Sequence, residues 1–155
     1  MSADPERARV YAAESALRDL IAQANSAPGG PVAVAVGGSK VVLPLEVRFG
    51  DLASVQRYCD LVMHLTQLSS RWPVRPVRVR ERRGVNKAHW ATTDVIAIPD
   101  AAWAMRETVV LHELAHHLTP EVVNHGPEFQ EALLDLYCEV MAPEVAFVAR
   151  CLLYL

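Results

Sequence analysis

The sequence predicts a single α+β domain, residues 1–155, in which a small mixed sheet packs on one central helix and further helices complete the core. Three observations carry this. Several segments repeat apolar residues at helical spacing, shorter runs between them read as strands, and no internal repeat or low-complexity linker divides the chain. A chain of 155 residues is long enough for one sizeable core and too short for two comfortable ones. With 52% hydrophobic and 21% charged residues it is globular in composition, and a net charge of −3 argues against a polycation built for nucleic acid.

Asp4-Pro5-Glu6 opens the first helix, an acidic cap with proline in the first turn. Val10, Ala13, Leu17, Leu20 and Ala24 follow at helical spacing until Pro28-Gly29-Gly30 ends it. Val32 to Val36 and Lys40 to Leu45 flank Gly37-Gly38-Ser39 as the arms of a β-hairpin. Asp51 caps a second amphipathic helix with Leu52, Val55, Cys59, Val62 and Leu65 as its inner face. Val77-Arg78-Val79-Arg80 alternates with period two, as a strand with one wet face does, and Gly84 breaks it. A second strand is expected around Ala88-His89-Trp90 and a third at Val95-Ile96-Ala97-Ile98, closed by Pro99-Asp100. A helix from about Trp103 to Leu118 has to stop before Pro120. Pro127 opens another that runs through Met141, and Pro143 begins the last.

Residues 1–25 carry many charges, with no visible signal segment, and no apolar run reaches the length of a membrane span; Ala142 to Leu155 is apolar but short, and Glu144 and Arg150 interrupt it. Cys59, Cys138 and Cys151 are odd in number and lack CxxC spacing. A cytoplasmic protein with reduced, buried thiols is expected.

The chemistry gathers in His112-Glu113-Leu114-Ala115-His116, followed by His125-Gly126-Pro127-Glu128-Phe129. Two histidines four apart stand about 40° apart around a helix, so both rings can reach one metal ion. Glu113 lies about 100° round from His112, near enough to contact a water on that metal without displacing it. By chance alone HExxH is expected in roughly 2% of sequences of this length and composition, so context has to decide. Val110, Leu114 and Leu118 form one stripe, and Met105, Val109, His112 and His116 another. A helix buried on both stripes, with two imidazoles facing a cleft, is what an active-site helix needs; a surface helix would carry more charge.

Catalytic zinc commonly keeps three protein ligands and one open position. The third ligand has to come from after the helix, and His125 is the choice. Gly126 lets the chain turn there, and Pro127 starts the next helix at once, which holds the ring at a rigid corner. Glu128, Glu131 and Asp135 are acidic alternatives. His117 lies five residues, about 140°, from His112 and does not converge with it, so a packed or solvated role is expected. His64 and His89 have no partner at ligand spacing and read as structural. Glu113 is then the general base, taking a proton from the attacking water and delivering it to the leaving amine. Tyr137 is the nearest phenol for a developing oxyanion, against the plainer reading of a core tyrosine.

HELAHH followed by HGPEF resembles the zincin metallopeptidases, in particular the SprT and Spartan group, where HExxH is followed by a histidine within an HGxxF-type element. Small uncharacterised bacterial metallohydrolases are also similar, in size and in the run from Val95-Ile96-Ala97-Ile98-Pro99 to Phe129. The match covers about residues 95–130. It implies His112, His116 and His125 as zinc ligands and Glu113 as the catalytic acid/base. It also implies a mixed sheet on the motif helix whose edge strand pairs a substrate backbone, Ala88 to Trp90 or Val95 to Ile98. The eight residues between His116 and His125 are fewer than is typical of SprT proteins, and the C-terminal cysteine-rich zinc element of many of them has no counterpart here.

The expected function is a zinc-dependent metallopeptidase acting on a peptide or protein substrate. A small-molecule amidohydrolase would use the same site. A zinc-bearing nucleic-acid- or protein-binding module with a structural metal is the alternative from another class, and it has no use for a glutamate at 113. Arg71, Arg75, Arg78, Arg80, Arg82, Arg83 and Lys87 form a basic stretch opposed only by Glu81, while no lysine or arginine occurs from Glu107 through Ala149. Such a surface suits a phosphate backbone or an acidic protein, but a solvated strand face and turn is the plainer reading. No membrane partner is expected.

Overall fold

The computed structural model describes residues 4–83, 89–91, 94–122 and 124–154, with the backbone alone at Thr66 and at residues 89–91. Gly84, Lys87 and Ala88, expected at a strand break, in the basic stretch and in the second strand, lie outside the described residues. The secondary structure is the mixed α+β content expected. The helices are α1 (Arg7–Ala24), α2 (Leu52–Met63), α3 (Thr66–Ser69), α4 (Glu107–Leu118), α5 (Pro127–Leu136) and α6 (Pro143–Leu153). The strands are β1 (Val34–Val36), β2 (Ser39–Val41), β3 (Arg78–Glu81), β4 (His89–Ala91) and β5 (Val95–Ile98). The chain forms two compact units, Met1–Glu46 with Asn124–Leu155, and Val47–Val123.

In the first unit α1 packs on α6. Val10, Ala13, Leu17, Ile21 and Ala24 are buried along α1, and so is Glu14. Leu20, expected inside, is half-buried. The buried arc extends round the helix toward Glu14 and Ile21, which leaves Leu20 at its rim. Asp4 does not cap this helix; Glu6 is the N-cap and makes no side-chain capping bond. β1 and β2 pair antiparallel with Val36 opposite Ser39, so the turn is Gly37-Gly38 alone. Both glycines have positive φ, 57° and 78°, the mirror-image turn that matches strand twist. A Cβ on Gly37 would stand 2.9 Å from Cys151 Sγ, so this turn needs glycine for room as well.

The helix expected from Pro127 through Met141 is two pieces. α5 ends at Leu136, and Tyr137–Met141 is a π-helical turn closed by the Ala142 N–H on the Tyr137 carbonyl at 3.0 Å. Pro143 explains where the π-helical turn ends: the residue before a proline avoids the helical region, and Ala142 is extended at φ −173°, ψ 152°.

In the second unit β5 is the central strand of a three-stranded sheet, parallel to β3 and antiparallel to β4. All four of its residues are buried, as suits a strand paired on both sides. α4 packs against β4 and β5, and α2 against β3 and α4. Val95–Ile98 therefore has no free edge for a substrate backbone; of the two strands expected in that role, β4 alone lies at the sheet's edge. The edge at β3 is partly covered. Gln56 reaches across from α2, donating from Nε2 to the Val77 carbonyl (2.9 Å) and accepting the Val79 N–H at Oε1 (2.8 Å). One side-chain amide stands where a neighbouring strand would pair. α2 is started by a reciprocal capping box of Asp51 and Ser54. It buries Val55, Cys59, Val62 and Met63, while Leu52 and Leu65, expected on its inner face, are half-buried.

Among the described residues no helix is long and apolar enough to cross a membrane. Cys59, Cys138 and Cys151 are free, Cys59 fully buried and the other two half-buried. Burial, with the Asp60 charge beside it, pushes the Cys59 thiol up to about 12. In the folded protein at mildly alkaline pH, an alkylating reagent is expected to label Cys138 and Cys151 well before Cys59. Peptide mapping by mass spectrometry checks this, and equal labelling would show that α2 opens readily. Gln56→Ala removes both edge bonds and is expected to cost about 1–3 kcal/mol of stability in urea unfolding. A change under about 0.5 kcal/mol, the range of neutral surface substitutions, would mean that water replaces the amide without loss.

Candidate metal centre

α4 begins at Glu107, four residues later than its periodicity predicts. The Ala104 and Met105 N–H groups both turn back onto the Ala101 carbonyl, at 2.9 and 3.0 Å. Arg106 is extended and forms an isolated bridge with Arg48. Backbone bonds from Phe49 to Met105 and from Glu107 to Val47, each 3.0 Å, complete this anchor. The Glu107 carboxylate is buried and accepts the Val47 N–H at 3.2 Å and the Tyr58 hydroxyl at 2.5 Å. A carboxylate in the first turn also complements the helix dipole.

The other end is held as firmly. Thr119 donates its hydroxyl to the Ala115 carbonyl at 2.9 Å, and Pro120 prevents a further turn. His117 is fully buried and donates from Nε2 to the Arg75 carbonyl at 2.8 Å, with Nδ1 3.5 Å from Asp94 Oδ1. Arg75 binds Asp94 through Nε and Nη2, at 3.1 and 2.7 Å, and donates to the His117 carbonyl at 3.3 Å. Asp94 sits at φ 57°, a region that aspartate tolerates better than most residues. The Arg75 hydrogen bonds hold the Asp94 carboxyl below its usual range, and burial lowers the His117 imidazole. His117 is thus a lock on the helix end.

Ten of the twelve residues of α4 are buried, and the two that are half-buried are Val109 and His116. These two lie seven apart, within about 20° of one another around the axis, and His112 and Glu113 flank the same line. The one stripe of α4 with access is therefore the stripe that carries the histidine pair and the glutamate. His112 and Glu113 are each 4% exposed. The His112 and His116 rings stand nearly edge to face, centroids 5.1 Å apart.

His125 is held by its own surroundings. Its backbone N–H (3.1 Å) and ring Nδ1 (2.6 Å) both donate to Asp4 Oδ2, and its carbonyl accepts from Gln130 Nε2 at 2.8 Å. Phe129 packs T-shaped on the ring at 4.8 Å, and Tyr11 lies tilted to it at 5.6 Å. Burial alone would raise the Asp4 carboxyl; the His125 ring bond, charge and backbone bond outweigh this and hold it below the usual range. Pro127 starts α5 as expected. Gly126 is not there for a special turn, since its φ is −71° with ψ −169°; a Cβ would meet Asn124 Oδ1 at 3.0 Å, the atom that accepts the Gly126 N–H.

One ligand atom from each of His112, His116 and His125 lies within 4.8 Å of the other two, a group that could hold a metal ion. Among the described residues none of the acidic alternatives joins it: Glu128 is exposed, Glu131 lies 3.4 Å from Arg150, and Asp135 is half-buried on α5. Tyr137 is not in the group's surroundings as an open phenol. It is 1% exposed and lines a cavity with Val10, Leu17, Leu133 and Leu153; among the described residues its hydroxyl has no partner, and burial raises its pKa. It is a core tyrosine. His64 is exposed, with Nδ1 on the Asp60 carbonyl; His89 is on β4, its side chain outside the description. The basic stretch divides: Arg75 turns to Asp94, Arg83 pairs with Glu81, and Arg78 and Arg80 stand exposed at alternate positions of β3.

Asp4, Tyr11 and Gln130 around His125, and Glu107 and Tyr58 at the helix start, carry no local signal of these roles, because their partners lie 49 to 121 residues away or, for Gln130, only across one helical turn. No family model, curated protein or solved structure matches the chain.

Metal analysis after dialysis against dilute divalent ions tests the cluster. His125→Ala is expected to lose affinity by more than the 10–100-fold typical of disturbing a ligand's outer partner. Alanine at Glu128, Glu131 or Asp135 is expected to change little; retention by the His125 variant with loss in one of these would reassign the third ligand.

Proposed function

We propose that this chain is a zinc-dependent hydrolase, and specifically a peptidase, with His112, His116 and His125 as ligands and Glu113 as general base. The observation that carries the reading is the gathering of three imidazole nitrogens beside a buried glutamate on the one accessible stripe of the helix. Three neutral imidazoles suit zinc, whereas calcium and magnesium ask for oxygen ligands. A structural zinc site is normally closed by four protein ligands; this group numbers three among the described residues, which favours a catalytic site.

When bound, zinc supplies Lewis acidity that activates a water and polarises a carbonyl. Glu113 accepts a proton from the attacking water at its carboxylate and passes it to the leaving nitrogen. The clamps at both ends of α4 keep that carboxylate and the two rings in fixed mutual positions, which is what proximity catalysis requires. The resemblance to the SprT and Spartan group favours a peptide over a small amide. So does the sheet, because an extended peptide beside β4 would be held by backbone hydrogen bonds along its length. Three free cysteines suit a reducing compartment, the cytoplasm.

Glu113→Gln tests the assignment, since an amide of the same size cannot accept the proton. Hydrolysis of an unfolded protein substrate is expected to fall by about 10²–10⁴-fold, with zinc content and melting temperature close to the parent's. Full activity in a zinc-loaded variant would remove Glu113 from the chemistry, and loss of zinc would place it among the ligands.

A further inference from the structure

We infer that Asp4 is the positioning residue for the third metal ligand, holding His125 by ring and backbone at once so that Nε2 is the nitrogen presented to the ion. The inference rests on the metal reading above and deepens it.

The geometry is specific. A single oxygen, Asp4 Oδ2, receives both the His125 ring Nδ1 at 2.6 Å and the His125 backbone N–H at 3.1 Å. A bond to the ring alone would let the imidazole swing with its carboxylate; a bond to the main chain alone would leave the ring free to rotate. Both together tie the ring plane to its own backbone. A carboxylate has no proton to give, so Nδ1 has to carry the hydrogen and the lone pair falls to Nε2. That is the tautomer a metal at Nε2 requires, and an anion behind the ring also strengthens it as a donor.

Asp4 is itself held. Its other oxygen, Oδ1, accepts the Glu6 N–H at 3.2 Å. Gln130, 1% exposed, donates to the His125 carbonyl at 2.8 Å and to Glu6 Oε2 at 3.3 Å, and Glu6 pairs with Arg9 at 2.5 Å. Asp4 directly and Glu6 through Gln130 thus hold His125 on two sides from just ahead of α1. Phe129 and Tyr11 flank the imidazole, so the alternatives to the Asp4 bond are few. The capping role that the sequence suggests for Asp4 is left unfilled, and the carboxylate spends itself on the histidine instead.

The test reads the ring directly. In metal-free protein with nitrogen-15 histidine, long-range proton–nitrogen correlation is expected to show His125 as the Nδ1–H form. Asp4→Ala should shift it toward the Nε2–H form that free imidazole favours, and Asp4→Asn, which keeps an acceptor oxygen, should largely restore it. Zinc affinity, measured by competition with a chromophoric chelator, is expected to fall about 10–100-fold in the alanine variant and less in the asparagine variant. A parent-like tautomer and parent-like affinity in a folded Asp4→Ala protein would overturn the inference. Should the alanine variant not fold, Asp4→Leu, of similar size but with no oxygen to accept either bond, decides by the same two readouts, a parent-like tautomer and affinity overturning it. The tautomer comparison needs no metal. A parent protein that took up no zinc would therefore sink the metal reading, while the ring readout still decided whether Asp4 sets the histidine.

Discussion

Two imidazoles on a helix can serve one ion only if the helix neither turns nor slides, and here α4 is stopped at both ends by buried polar groups. Glu107 ties the first turn to Val47 and Tyr58, and His117 ties the last to Arg75 and Asp94. Leaving the buried Glu107 carboxylate short of a hydrogen bond costs roughly 1–3 kcal/mol, whereas the Arg75–Asp94 pair is part-exposed and solvent screens it. The apolar packing of Leu111, Leu114 and Leu118 supplies burial without direction; the polar ends supply direction. For the proposed hydrolase, in which a misplacement of about 1 Å can cost two orders of magnitude in rate, these remote bonds would matter as much as the three histidines.

The histidines show how little residue type alone decides. His117 follows His116 directly, yet its ring is fully buried and its Nε2 is committed to the Arg75 carbonyl. His64 rests on a carbonyl at an exposed helix end. His112 and His116 keep the open stripe, and His125 is gripped by a carboxylate. The same side chain is a lock, a surface group or a candidate ligand according to which of its nitrogens the surroundings have already claimed.

Much of this was legible in the sequence because it depends on near neighbours. The spacing of His112 and His116, the Asp51 capping box, the double-glycine turn and the proline starts of α5 and α6 are all decided within a few residues. What was not legible depends on distant pairing. The late start of α4 comes from the bridge of Arg106 to Arg48, which overrides a helical pattern that continues back to Trp103. Nothing near Val95–Ile98 says that it lies between two strands and not at an edge. Asp4 reads as a helix cap by every local rule, and only its partner, 121 residues on, shows otherwise. The candidate site was therefore readable as a ligand set and unreadable as a supported structure.

The Gln56 amide gives the sheet a valency. With the Val77 carbonyl and the Val79 N–H taken by a side chain, the start of β3 offers an added strand fewer backbone partners. Open sheets are hazardous because they recruit strands on two sides and can propagate; a side chain bonded to one edge weakens growth in that direction. A single glutamine in a helix thereby makes the two edges of one small sheet unequal in what they can still pair.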